Sequence, residues 1–94
     1  MFKYRTLVKY LRDFQSILDD DHEIGLRLAH YHEGEGLRLA NVMNSGDDLV
    51  VFELLNSKNE SFVVIEHYSQ LSLEAVPLLK AIPDKPAKRI GFTL

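Results

Sequence analysis

The chain contains no cysteine. That excludes a disulfide scaffold, a thiolate metal site and a cysteine nucleophile, and it fits a reducing compartment, so the expected location is the cytoplasm. Long apolar runs are missing as well. The opening Met1-Phe-Lys-Tyr-Arg-Thr-Leu-Val-Lys-Tyr10 scatters basic residues where a signal peptide needs an uninterrupted apolar core, and no later stretch reaches the length of a membrane span. Catalytic motifs are equally scarce. Ser45-Gly-Asp-Asp48 lacks the paired glycines of a nucleophile elbow, and the glycines at 34, 36 and 46 precede no Lys-Ser/Thr of a phosphate-binding loop. His67 and Ser69 share a strand face, but no orienting group joins them. With no nucleophile, base and orienting partner to name together, the sequence predicts a non-catalytic protein without a cofactor.

What is present is 94 residues with 46% apolar content, enough for one domain over 1–94. So short a chain leaves much apolar surface in water, and self-association is a common remedy. Charge is unevenly spread. Residues 1–12 carry four cations and no acid, residues 13–79 three cations against thirteen acids, and residues 80–94 four cations against Asp84. Nucleic-acid binders gather cations with aromatics on one face, so nucleic acid is not the expected partner. Basic ends and an acidic middle suit a protein partner or a second copy.

Residues 3–18 place Leu7, Leu11, Phe14 and Leu18 on one helical stripe, ended by Asp19-Asp20-Asp21. From residue 23 the period becomes two. Ile24, Leu26, Leu28, His30 and His32 share one strand face, and Arg27, Ala29 and Tyr31 the other. A hairpin centred on Gly34-Glu35 pairs Leu28 with Asn41 and His32 with Leu37, sets Arg38 opposite Tyr31, and gathers Leu37, Leu39, Asn41 and Met43 on the leucine face. Two further strands follow at 49–55 and 62–68, where Val50, Phe52 and Leu54 face Val63 and Ile65. The other face keeps Leu49, Val51, Phe62 and Val64, so a second subunit is expected to cover it. Ser72–Ile82 reads as a short helix carrying Leu73, Val76 and Leu79, and Lys88–Leu94 as an extended tail. The expected fold is α+β: an N-terminal helix, a four-stranded antiparallel meander, a short C-terminal helix and the tail.

His30 and His32 project from one strand face at a spacing metals accept, but no defined third ligand completes the set, so no metal site is assigned. Asp19–Glu23 is an acidic turn without the spaced, glycine-bearing loop of calcium sites. Arg27 and Arg38, with Tyr31 between them, are the stronger candidates. Two guanidiniums and a ring can hold a phosphate and stack a base. Their structural alternative is pairing with Glu23, Glu33 or Glu53. Lys88 and Arg89 in the basic tail offer a second place for an anion.

The ending His67-Tyr-Ser-Gln-Leu71, Lys85-Pro86 and Arg89-Ile-Gly-Phe92 resembles a family of short bacterial and phage-encoded proteins of unknown function. The resemblance implies a compact α+β domain without assigned activity; by analogy with small acidic phage proteins, which often act by binding, it points to a host- or defence-modulating role. The leading expectation is a protein-interaction module that self-associates. The alternative is a small-ligand binder that captures an anionic, nucleotide-like molecule through Arg27, Tyr31 and Arg38, or through Lys88 and Arg89 of the tail; an enzyme is the third reading.

Overall fold

A computed structural model describes residues 3–29 and 36–93. Helix α1 (Lys3–Ser16) is followed by five strands: β1 (His22–Leu28), β2 (Leu37–Ser45), β3 (Leu49–Leu55), β4 (Ser61–His67) and β5 (Leu73–Leu79). They form one antiparallel sheet in the order β4-β3-β2-β1-β5, so the α+β expectation stands. None of the helices is long and apolar enough to cross a membrane among the described residues.

The inner face of the sheet carries Ile24, Leu26, Leu28, Leu37, Leu39, Val42, Val50, Phe52, Leu54 and Val64, and Val8 and Leu11 of α1 join this buried cluster. The helix stripe thus buries what its spacing promised. The Tyr4 hydroxyl donates to the Val42 carbonyl at 3.1 Å and ties the helix to the sheet.

Four expectations are corrected. The segment from Ser72 holds no helix: a 3-10 turn at Tyr68–Gln70 leads into β5, which pairs with β1 from His22↔Leu79 to Leu28↔Leu73. The cause is Pro77. Inside a helix it would remove a hydrogen bond at a cost of about 3 kcal/mol, whereas an edge strand tolerates it. Strand β5 also supplies the pairing that β1, buried on both faces, still needs on its far side.

The β1–β2 register is the second. Leu26 lies opposite Leu37 and Gly25 opposite Arg38, so Tyr31 is not the partner of Arg38. The shift from the expected pairing is an even number of residues, which keeps every leucine on its face. His30, Tyr31, His32, Glu33 and Glu35 lie outside the described residues, and with them the candidate histidine pair.

The third is Met43. The β2–β3 register shifts between Leu39 and Asn41, and the extra residue, Ala40, reverses the alternation beyond it. Val42 therefore turns inward and Met43 outward. The fourth is strand β4. The turn Asn56–Glu60 is closed by Asn56 N–H donating to the Glu60 carbonyl at 3.0 Å and by Asn59 at φ 62°. It sets Leu55 opposite Ser61 and hence Phe52 opposite Val64. Phe62 and Val64 face the core, and Val63 and Ile65 face outward.

Candidate functional site

Strands β1 and β2 pair only at Gly25↔Arg38 and Leu26↔Leu37 among the described residues; beyond them β2 bends away at its bulge. The sheet is thus split, and the C-terminal segment crosses the split. Gln15, at the end of α1, holds it as a strand would: its Nε2 donates to the Ile90 carbonyl at 3.0 Å, and its Oε1 accepts from Ile90 N–H at 2.9 Å. Arg89 donates to the backbone carbonyls of His22 (2.7 Å) and Asp19 (2.8 Å). These carbonyls belong to the α1–β1 turn and the first residue of β1, so Arg89 ties the C-terminal segment to both.

Glu23 anchors the arrangement. Its side chain is only 6% exposed, yet both oxygens have partners: Oε1 accepts from Arg38 Nη1 at 2.6 Å and Oε2 from Lys88 N–H. Arg38 also donates from Nη2 to the Leu79 carbonyl at 2.8 Å. Gly25, directly across from Arg38, permits this close packing. The Leu78 side chain and, at 3.0 Å, the Leu37 carbonyl occupy the space that a Cβ there would take.

Between the split strands, the β3–β4 turn and the C-terminal segment lies a cleft of about 830 Å³. Arg38, Lys80, Lys88 and Arg89 line it, with Glu23 the one carboxylate among its lining residues. Lys80 reaches Asp21 at 3.5 Å. Of the five residues singled out in the sequence, three therefore meet at one cleft: Arg38, Lys88 and Arg89. Arg27 shares the outer sheet face with Arg38 but stands beside Glu74 (4.0 Å), its cross-strand neighbour on β5. Tyr31 is outside the described residues. Lys80 escaped the sequence reading because a helix was assigned to its segment; the cationic count of residues 80–94 was the available signal.

A smaller cleft of about 340 Å³ lies at the opposite end of β2, lined by Lys3, Tyr4, Asn44, Asp47, Asp48 and Tyr68. Lys3 stands 5.9 Å from the centre of the Tyr68 ring, and the Tyr68 hydroxyl donates to Asn44 Oδ1 at 2.7 Å. Burial, and then the neighbouring Tyr4, push the Tyr68 phenol above its ordinary pKa. Among the described residues no group of three or more His, Asp or Glu is gathered to hold a metal ion.

At the α1–β1 turn, the His22 Nδ1–H donates to Asp19 Oδ1 at 2.6 Å, and Asp21 N–H donates to the same oxygen at 2.9 Å. These bonds, His22 first, hold Asp19 below its ordinary 3.8. A depressed folded-state pKa means that the turn's contribution is present above 3.8 and is lost as pH falls through the lowered value. Carboxyl NMR titration is expected to give a midpoint below 3.8, moving upward in His22→Ala. A midpoint at or above 3.8 in the unaltered chain contradicts this.

The outer sheet face presents the second feature. Met43, Val51 and Ile65 form one cross-strand row, and Asn41, Glu53 and Val63 the next. Val63 and Ile65 are 55% and 62% exposed. Strand β4 is an outer strand and pairs with β3 alone.

A family model, described as a family of unknown function (DUF6173), matches residues 4–93. The chain belongs to that family. Searches of curated proteins and of solved structures return no match. The family's match spans α1, all five strands and the C-terminal segment through Thr93, so the cleft and the β4 edge both lie within it.

Proposed function

We propose that this member of the family is a non-catalytic protein-interaction module whose first partner is a second copy of itself, joined through strand β4. The observation that carries the reading is the outer edge of β4. It is seven residues long, has neither proline nor lysine, and keeps an unbroken register with β3 from Ser61 to His67. An outer strand offers the N–H and C=O groups on its open side to another strand, and proteins that avoid such pairing blunt the edge. The opposite edge is blunted: β5 has Pro77 just past its centre and Glu74 near its start.

A second β4 fits this edge. Antiparallel pairing about Val64 sets Val63 opposite Ile65 of the partner copy, Phe62 opposite Glu66, and Ser61 opposite His67. No like charges meet, and β-branched pairs of this kind add stability. Glu53, one strand inward, stays in water, whereas packing two outer faces together would bury it at a cost. The product is a ten-stranded sheet in which the outer row Met43-Val51-Ile65 of one copy meets Val63 of the next.

Light scattering at tens of micromolar is expected to give twice the chain mass of 10.8 kDa. The double change Val63→Lys and Ile65→Lys alters two exposed side chains and is expected to return the chain mass with the fold retained. A monomeric unaltered chain at that concentration overturns the reading.

A further inference from the structure

We infer that the cleft in the split sheet is a binding site for a phosphorylated organic anion of nucleotide size. The inference is independent of pairing at β4, none of whose residues lines the cleft.

The first support is electrostatic. The chain as a whole is acidic, at −3. Yet four of its cations, Arg38, Lys80, Lys88 and Arg89, line this one cleft, against Glu23. Counting Asp21, which pairs with Lys80, cations still lead four to two. A concave wall of one sign focuses the field and draws in ions of the other. The carboxylate within it is countered by the Arg38 guanidinium, and its other oxygen accepts from the Lys88 amide. Glu23 therefore serves to aim Arg38 and hold the C-terminal segment rather than to repel an anion. The Lys88 ammonium has no hydrogen-bond or ion partner among the described residues, and its backbone is pinned beside Glu23.

The second support is shape. At about 830 Å³ the cleft exceeds what a lone phosphate fills and lies in the range of small-ligand sites. Its walls are mixed in character: Leu39, Leu55 and Ile82 stand beside the cations. A phosphate on the cationic wall and a ring or sugar against the leucines would use both. The third support is the break itself. Where β2 bulges away at Ala40, its edge faces the cleft instead of β1, and bulges of this kind commonly border functional sites.

The test is calorimetric titration of the full chain at low ionic strength with ADP, adenosine and pyrophosphate. ADP is expected to bind, adenosine to give no heat, and pyrophosphate to bind more weakly than ADP. Lys88→Ala and Lys80→Ala are each expected to weaken ADP roughly tenfold, the scale of one lost charged hydrogen bond. Lys88→Glu is expected to abolish binding. Lys9→Ala, an exposed change on α1 away from the cleft, is expected to leave it intact. Lys88 makes its hydrogen bonds through the backbone, so its variants keep the fold, which melting curves check. Absence of ADP binding at millimolar concentration overturns the inference. So does equal weakening by Lys9→Ala and Lys88→Ala, which marks diffuse surface charge, or tighter binding of pyrophosphate than of ADP.

Discussion

Replacing Glu23 by alanine is expected to destabilise the fold by about 3–5 kcal/mol, the scale for removing one partner of a buried ion pair. The loss has three parts. The Arg38 guanidinium, itself only 21% exposed, keeps its bond to the Leu79 carbonyl but loses its countercharge. The Lys88 N–H loses its acceptor, so the C-terminal segment is left to the Gln15 and Arg89 contacts. Water then gains entry between β1 and β2, which pair at only two positions among the described residues. For a domain of this size the melting temperature should fall by more than about 12 °C. Glu23→Gln keeps one acceptor oxygen for two donors and turns its NH2 toward the other, so it should recover only part of the loss. A change within about 0.5 kcal/mol for the alanine variant, typical of surface positions, would show that the carboxylate is solvated and holds nothing.

Phe52→Ala is expected to cost as much again, about 3–5 kcal/mol, because a fully buried ring leaves a cavity that the sheet cannot close. The informative comparison is with Ile65→Ala. Both residues are large, apolar and placed on neighbouring central positions of β3 and β4. Position 65 nevertheless faces outward, and its change should cost less than about 1 kcal/mol. Urea unfolding at a concentration that keeps the chain monomeric measures both. Equal losses at the two positions would mean that β4 presents Val63 and Ile65 to the core and that the Phe52↔Val64 pairing is wrong.

That comparison bears on how much of the fold was legible in the sequence. The α1 stripe and the buried character of Leu26, Leu37 and Phe52 follow from period alone, since burial leaves a 3.6 or 2.0 repeat that needs no partner to be read. Register does not. Val63 and Ile65 alternate with Phe62 and Val64, and both sets are apolar, so periodicity cannot say which is inside. A turn closed by Asn56 and Asn59 decides it. Met43 exchanges places with Val42 through one bulged residue that carries no glycine or proline to announce it. Leu73, Val76 and Leu79 suit a helix by spacing, but Pro77 and the unpaired side of β1 select a strand.

The candidate site was legible in its charges and not in its geometry. Arg38, Lys88 and Arg89 were visible as cations, and the basic end of the chain announced their number. Their convergence depends on a strand pair joined at two positions among the described residues and on a C-terminal segment that lines the same cleft. Arg27 and Arg38 do share a face, as alternation requires, but Arg38 reaches toward Glu23 and Leu79 while Arg27 stands by Glu74. Glu23 was legible as a pairing partner for the arginines, and it pairs with Arg38; its burial was not legible.

The central claim is that β4 pairs with β4 about Val64, and a charge-swap series tests it most directly. Val63→Lys with Ile65→Lys places two lysines opposite one another in that register, twice over, and should give the mass of one chain by light scattering. Val63→Glu with Ile65→Lys places a glutamate opposite a lysine at the same two positions and should restore the doubled mass. Failure of the mixed pair to restore it, in a chain that stays folded, would contradict the pairing.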